Sequence, residues 1–215
     1  MFKIRACIFD LDGVIVDTAK YHYLAWKRLA HELGFEFLVD HNERLKGVSR
    51  MTSLDILLEV GGLSFSLPEK EKMAAKKNEW YLEYIRRMTP EEILPGVEDF
   101  LASLKSQGVK IALGSASKNA RLILEQVGLQ FTFDAVIDGN KALKAKPDPQ
   151  VFLLGAEELK VSPPQCVVFE DAAAGVEAAK NAGMYCIGIG SPEILGLADK
   201  VIPGFLNITT EIISL

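Results

Sequence analysis

Apolar positions along the chain follow two rhythms. Nearly unbroken apolar runs occur at 5–9, 109–114, 135–138, 166–169 and 185–189. Short runs of this kind predict strands buried on both faces, as in a parallel sheet. Between them, from residue 97 onward, apolar residues recur at helical spacing. The segments 97–107, 119–127 and 172–182 are closed by Gly108, Gly128 and Gly183, the residue type suited to the position just past a helix. Asp148-Pro149 offers a cap and a first-turn proline for a helix reaching about Lys160. Strands alternating with helices predict an α/β fold, a Rossmann-like doubly wound parallel sheet.

The rhythm breaks between 17 and 93. Only helical patterns occur there: 19–33 before Gly34, 53–60 before Gly61-Gly62, and 68–88, with Ser66 and Glu69 placed as a capping box. We therefore expect an inserted all-helical cap subdomain, 17–93, on a core made of 1–16 and 94–215. The insertion leaves and returns beside the end of the first strand, so the cap should lie over whatever that strand end carries.

Composition narrows the partners. The chain has 215 residues, 49% hydrophobic and 25% charged, and its formal net charge of −5 argues against nucleic acid or an anionic membrane. A small anion remains open, because a few local Lys and Arg can override the global sign. Cys7, Cys166 and Cys186 all fall in strand-like runs, odd in number and without metal spacing. They read as buried reduced thiols in a reducing compartment. No apolar run approaches ~18 residues, and the chain enters its first strand without a signal-peptide pattern. The expectation is a cytoplasmic protein that works as a monomer.

The first strand ends in Phe9-Asp10-Leu11-Asp12-Gly13-Val14. On an extended backbone Asp10 and Asp12 share a face. Two carboxylates about 4 Å apart repel by roughly 4 kcal/mol at an effective dielectric of 20, so a cation, a shared proton or a reaction should offset them. Ligands of open parallel sheets bind at the carboxyl ends of the strands. The other strands deliver Ser115-Ala116-Ser117-Lys118-Asn119, Lys146-Pro147 and Glu170-Asp171 to that same edge. Taken singly, Ser115 fits a helix cap, Lys146 a solvated loop lysine, and Glu170-Asp171 acids complementing a helix dipole. Together, hard oxygen ligands beside a lysine and a helix N-terminus suit Mg²⁺ and a phosphate.

In their order and placement, these segments resemble the motifs of the haloacid dehalogenase-like phosphotransferase superfamily, over essentially the whole chain. The resemblance implies that Asp10 attacks phosphorus and becomes an aspartyl phosphate, and that Asp12 is general acid and base. It implies Mg²⁺ on Asp10, the backbone carbonyl of Asp12, Glu170 and Asp171, with Ser115 and Lys146 on the phosphoryl oxygens. Physical chemistry agrees, since a carboxylate is a poor nucleophile toward a phosphate dianion until cations neutralise the approach.

The cap segments Asp17-Thr18, Tyr21-His22, Ala25-Trp26-Lys27, Leu45-Lys46-Gly47-Val48-Ser49-Arg50, Ser53 and Lys76-Lys77-Asn78 are similar to the hexose-phosphate mutases of that superfamily. This similarity implies a small-molecule sugar-phosphate partner and interconversion of β-glucose 1-phosphate and glucose 6-phosphate, with β-glucose 1,6-bisphosphate as activating intermediate. A mutase needs a second anion site: Arg50 can grip a phosphate bidentately, helped by Lys77, Ser117 and Asn119. Lys46, Gly47, Val48, Ser53 and Ala116 complete the expected substrate contacts. His22 and Trp26, one helical turn apart, are expected at the cap–core boundary, the histidine coupling closure to Asp12, with Thr18 as a hinge. Ala145 and Gly114 depart from the serine and alanine common in the family. The rival readings are a sugar-phosphate phosphatase, for which 46–50 is a polar turn, and a non-catalytic sugar-phosphate sensor.

Overall fold

The computed structural model describes residues 3–45 and 48–214. Its centre is a six-stranded parallel sheet in the order β3-β2-β1-β4-β5-β6. The strands are β1 (Ala6–Phe9), β2 (Lys110–Gly114), β3 (Ala135–Ile137), β4 (Cys166–Glu170), β5 (Tyr185–Ile189) and β6 (Lys200–Ile202). This is the doubly wound order. The winding reverses at β1, which pairs with β2 on one side and β4 on the other, Phe9 lying opposite Leu113 and Phe169. The carboxyl end of β1 is therefore the switch-point crevice, and Asp10 and Asp12 stand there.

Helices cover both faces of the sheet, which explains the unbroken apolar runs. Cys7, Phe9, Val167 and Phe169 belong to one buried layer, and Ala6, Ile8, Cys166 and Val168 to the other. In the first layer Phe9 stacks on Phe169 with ring centroids 4.7 Å apart. The core helices are α5 (Val97–Ser106), α6 (Ala120–Gln126), α7 (Gln150–Leu159) and α8 (Ala173–Asn181). All three cysteines are free and buried, and burial pushes the Cys166 and Cys186 thiols up to about 11 and 12.

Among the described residues, the elements between β1 and α5 are all helical: α1 (Ala19–Glu32), α2 (Val39–Glu43), α3 (Arg50–Val60), α4 (Leu67–Ile85) and a 3₁₀ turn at Pro90–Glu92. The Ser66–Glu69 capping box forms at the start of α4. The two connections to this block are tied together. Val16 bridges Ile93, and Leu94 donates to the Ile15 carbonyl at 2.9 Å.

Three differences from the sequence reading are local. Helix α3 starts at Arg50, not 53, because Ser49 caps it by accepting the Thr52 N–H at 3.2 Å. The five-residue α2 is too polar and short for a periodic signal; His41 Nδ1 accepts the Leu38 N–H that precedes it. Strand β6 is a three-residue edge strand. No helix among the described residues is long and apolar enough to cross a membrane.

Candidate active site

The core half of the site is built from strand ends. One residue beyond β1, Asp10 still donates its N–H to the Phe169 carbonyl at 3.0 Å. The Asp12 N–H then turns back to Asp10 Oδ2 at 3.0 Å. Lys146, on the loop before α7, reaches in with its Nζ 2.5 Å from Asp10 Oδ1 and 2.6 Å from Glu170 Oε1. All three residues are buried. The second oxygen of Glu170 accepts the N–H groups of Asp171 and Ala172 at 2.7 and 3.0 Å. The acid that closes β4 is thus clamped between an ammonium and two amides.

Two glycines make room for these acids. A Cβ at Gly175 would lie 1.6 Å from Glu170 Oε1, and one at Gly13, where φ is +83°, would lie 2.2 Å from Asp171 Oδ2. No side chain fits either position. Gly114, where the family often has alanine, abuts Phe152: a methyl there would come within 3.1 Å of the ring.

One carboxylate oxygen from each of Asp10, Glu170 and Asp171 lies within 4.8 Å of the others. That set of hard oxygens around one point fits a divalent cation of the Mg²⁺ type. The Asp12 side chain is not part of the cluster; the expectation for Asp12 concerned its backbone carbonyl. Burial pushes Asp10 up to about 7 even against the pull of Lys146, with Glu170 and Asp12 adding to the rise. Burial likewise raises Asp12, opposed by its hydrogen bond from Thr18. A carboxyl raised in this way keeps a proton more readily, as a general acid must.

The cap half is carried by α1, α3 and α4. Thr18, at the entry to α1, donates its hydroxyl to Asp12 Oδ1. His22 Nε2 lies 3.9 Å from the same oxygen, and its Nδ1 faces Lys77 Nζ at 3.0 Å. Burial and the adjacent Lys77 hold the imidazole well below its ordinary value. Lys77 sits on the inward stripe of α4 with Ala74, Tyr81 and Ile85, spaced three or four residues apart as one helical face requires. Its ammonium lies 4.4 Å from the Trp26 ring centre and 4.8 Å from that of Tyr81. Burial, reinforced by Arg50, brings Lys77 down to about 7.

Cap and core also meet at a carboxamide. Asn78 Oδ1 accepts from Arg50 Nη2 at 2.7 Å and from Asn119 Nδ2 at 3.0 Å. Asn119 is held in turn by the turn after β2, where Ser117 Oγ accepts its N–H and Ser115 Oγ accepts that of Ser117.

A cavity of about 470 Å³ lies between the halves. Asp10, Asp12, Lys146 and Asp171 line it from the core, and Ala116, Ser117 and Asn119 from the turn after β2. His22, Trp26, Val48, Arg50, Ser53 and Lys77 line it from the cap. Thr18, Ser115 and Glu170 are fully buried and are not among the lining residues. Lys46 and Gly47 lie outside the described residues. The sequence reading did not single out Asn78 and Tyr81 as site residues, although both line the cavity. The available signal was their place on α4 beside and four residues after Lys77.

A Rossmann-like core with paired aspartates at the switch point, a buried lysine and a helical insertion defines a class, and the comparisons agree. Residues 4–183 match the haloacid dehalogenase-like hydrolase family, and the chain belongs to that family. Within it, the chain is 43% identical over 212 residues to the β-phosphoglucomutase of Bacillus subtilis, covering 98% of this chain and 94% of that protein. It is 34% identical to a phosphorylated carbohydrates phosphatase of Thermotoga maritima, over 84% of this chain and 82% of that one. Among solved structures, the β-phosphoglucomutase of Clostridium difficile superposes with a TM-score of 0.94 at 46% identity, covering 98% and 96% of the two chains.

Proposed function

We propose that this chain catalyses the β-phosphoglucomutase reaction, interconverting β-D-glucose 1-phosphate and glucose 6-phosphate through β-glucose 1,6-bisphosphate. The observation that carries this reading is one cavity lined by two separate anion-competent groups. Asp10, Asp12 and Lys146 line it from the core, and Arg50, hydrogen-bonded through Asn78 to Asn119, lines it from the cap. A monophosphate hydrolase has no use for the second group.

An Asp10 carboxylate oxygen bonds to phosphorus as the bond from phosphorus to the sugar oxygen breaks, and Asp12 in its acid form protonates the departing oxygen. In the other half-reaction the free hydroxyl of a bound glucose monophosphate gives its proton to Asp12 as its oxygen attacks the aspartyl phosphate, which forms the bisphosphate and regenerates Asp10. The bisphosphate then presents its other phosphate to Asp10 and leaves as the isomeric monophosphate. Thr18 and His22 orient Asp12 from the cap, so the acid is in place only when cap and core are together. Lys146 holds Asp10 and supplies positive charge where phosphoryl oxygens gather. Asp10, Glu170, Asp171 and the Asp12 carbonyl would hold Mg²⁺, which neutralises the phosphoryl group when bound. Arg50, Ser117 and Asn119 hold the phosphate that is not being transferred. We place the activity in the cytoplasm, in a monomer.

The deciding assay supplies β-glucose 1-phosphate, Mg²⁺ and catalytic β-glucose 1,6-bisphosphate, and follows glucose 6-phosphate through a coupled dehydrogenase. Asp10→Asn should abolish the signal with an unchanged circular dichroism spectrum. Release of inorganic phosphate without glucose 6-phosphate would establish the phosphatase instead, and binding without either product would establish the sensor.

A further inference from the structure

In the mutase reading, the phosphate that is not transferred is held from two bodies at once. Arg50 opens α3 in the cap, and Asn119 precedes α6 in the core. Long side chains that grip one anion lose rotamer freedom in doing so, unless something orders them beforehand. Asn78 on α4 is placed to order both. Its Oδ1 lies 2.7 Å from Arg50 Nη2 and 3.0 Å from Asn119 Nδ2, and α4 packs against both α3 and α6. Chemistry fixes the orientation of the carboxamide. A guanidinium has donors only, so the atom facing it must be the oxygen, whose two lone pairs match the two donors. Each donor keeps further N–H groups, and all three residues line the cavity.

We infer that Asn78 is a positioning residue for anion binding: its carboxamide oxygen holds Arg50 of the cap and Asn119 of the core in the orientation that receives the phosphate not being transferred. The identity of that phosphate rests on the mutase reading; the ordering of the two donors does not. Asn78 acts through these donors and not on the reacting atoms. Charge explains why the acceptor is an amide. A carboxylate would orient the guanidinium equally well, but it would also offset the charge and repel a phosphate. A neutral acceptor orders Arg50 and leaves its charge for the ligand. Burial works against that charge, and no carboxylate among the described residues pairs with it.

Asn78→Ala removes the acceptor and suits a helix. Its Kd for glucose 6-phosphate, read by calorimetry, should rise about three- to tenfold, the worth of one hydrogen bond. In an Arg50→Ala background the same substitution should change Kd by less than about twofold, because its effect runs through Arg50. In turnover of β-glucose 1-phosphate the loss should fall on KM more than on kcat, since this phosphate is held alike in ground and transition states. Asn78→Asp keeps both the shape and the acceptor. Ligand-free, it should unfold at the wild-type temperature or above it, because Arg50 gains an ion pair. Its Kd for glucose 6-phosphate should nevertheless rise at least ~10-fold, as the charge-assisted grip of Arg50 is lost. Stability and binding then move in opposite directions.

A residue that only packs the cap against the core would leave Asn78→Asp stable and binding at wild-type strength, and that result overturns the inference. So does an unchanged Kd in Asn78→Ala. A loss of equal size with and without Arg50 overturns it too, and would place the amide directly on the ligand. If Asn78→Ala fails to fold by circular dichroism, the aspartate variant decides. Wild-type protein that binds glucose 6-phosphate without interconverting the glucose phosphates would defeat the mutase reading alone, and the titrations would still settle the role of Asn78. Wild-type protein that does not bind glucose 6-phosphate would overturn both.

Discussion

Lys146→Met removes the ammonium that separates two buried carboxylates while keeping most of the side-chain volume, so the loss is electrostatic more than steric. The side chains of Lys146 and Glu170 are each 1% exposed, and Asp10 is 9% exposed. Water cannot take over the role of the lysine at contacts of 2.5 and 2.6 Å. Removing one partner of a buried ion pair costs about 3–5 kcal/mol. For a chain of this length each kcal/mol moves the midpoint by roughly 2–4 °C, so the unfolding temperature should drop by about 6–20 °C in chelator.

The pH dependence has a definite sign. Asp10 in the folded protein titrates at about 7, above its unfolded value, so its contribution is full below about pH 4 and is lost as pH rises through 7. Without the lysine that shift widens, and the deficit of the variant should deepen between about pH 5 and about pH 8. Asp10, Glu170 and Asp171 would then face one another without a cation. Millimolar Mg²⁺ should therefore raise the midpoint of the variant by more than that of wild type, through binding to the folded state. Thermal unfolding at both pH values, with chelator and with Mg²⁺, measures all three effects. A deficit below about 1 kcal/mol at both pH values, with no extra Mg²⁺ response, falls in the range of an exposed ion pair and would refute the buried bridge.

Asp12→Asn should slow turnover by at least ~10²-fold, the lower range for positioned acid–base catalysis; activity within a factor of about two of wild type would remove Asp12 from proton transfer. Arg50→Ala severs charge-assisted contacts worth on the order of 1.5–3 kcal/mol, so mutase turnover should fall at least ~10-fold. Phosphorylation of Asp10 by acetyl phosphate should be much less affected, and equal losses in both reactions would make Arg50 a folding or cap-closure residue. Lys77 titrates at about 7 when folded, below its unfolded value, so wild-type stability should rise with pH from about 7 to about 10. Lys77→Met, followed by urea unfolding of the ligand-free protein, should be relatively most stabilising below pH 7. A difference that does not vary with pH would show that no strained ammonium is buried there.

Local signals in the sequence determined the elements and the first strand's chemistry. Apolar run length, the glycines after helices, the Ser66–Glu69 box and the Asp10–Asp12 spacing each act within a few residues. Their physical cause is therefore present in any short segment. Asp10, Asp12, Lys146, Glu170 and Asp171 were also legible, because a parallel sheet brings every strand's carboxyl end to one edge. Tertiary structure alone decided which of these groups touch. The strand order sets β1 beside β4 and brings Lys146 to Asp10 across 136 positions of chain, and no local periodicity records that. It also turned Lys77 from an ordinary helix lysine into a buried ammonium between two rings, and joined Arg50 to Asn119 through Asn78. On α4 alone, Asn78 and Tyr81 are one polar and one packing residue of an amphipathic helix. They become site residues only because the connections at Val16 and Ile93 fold that helix back over the strand end, where both residues line the cavity.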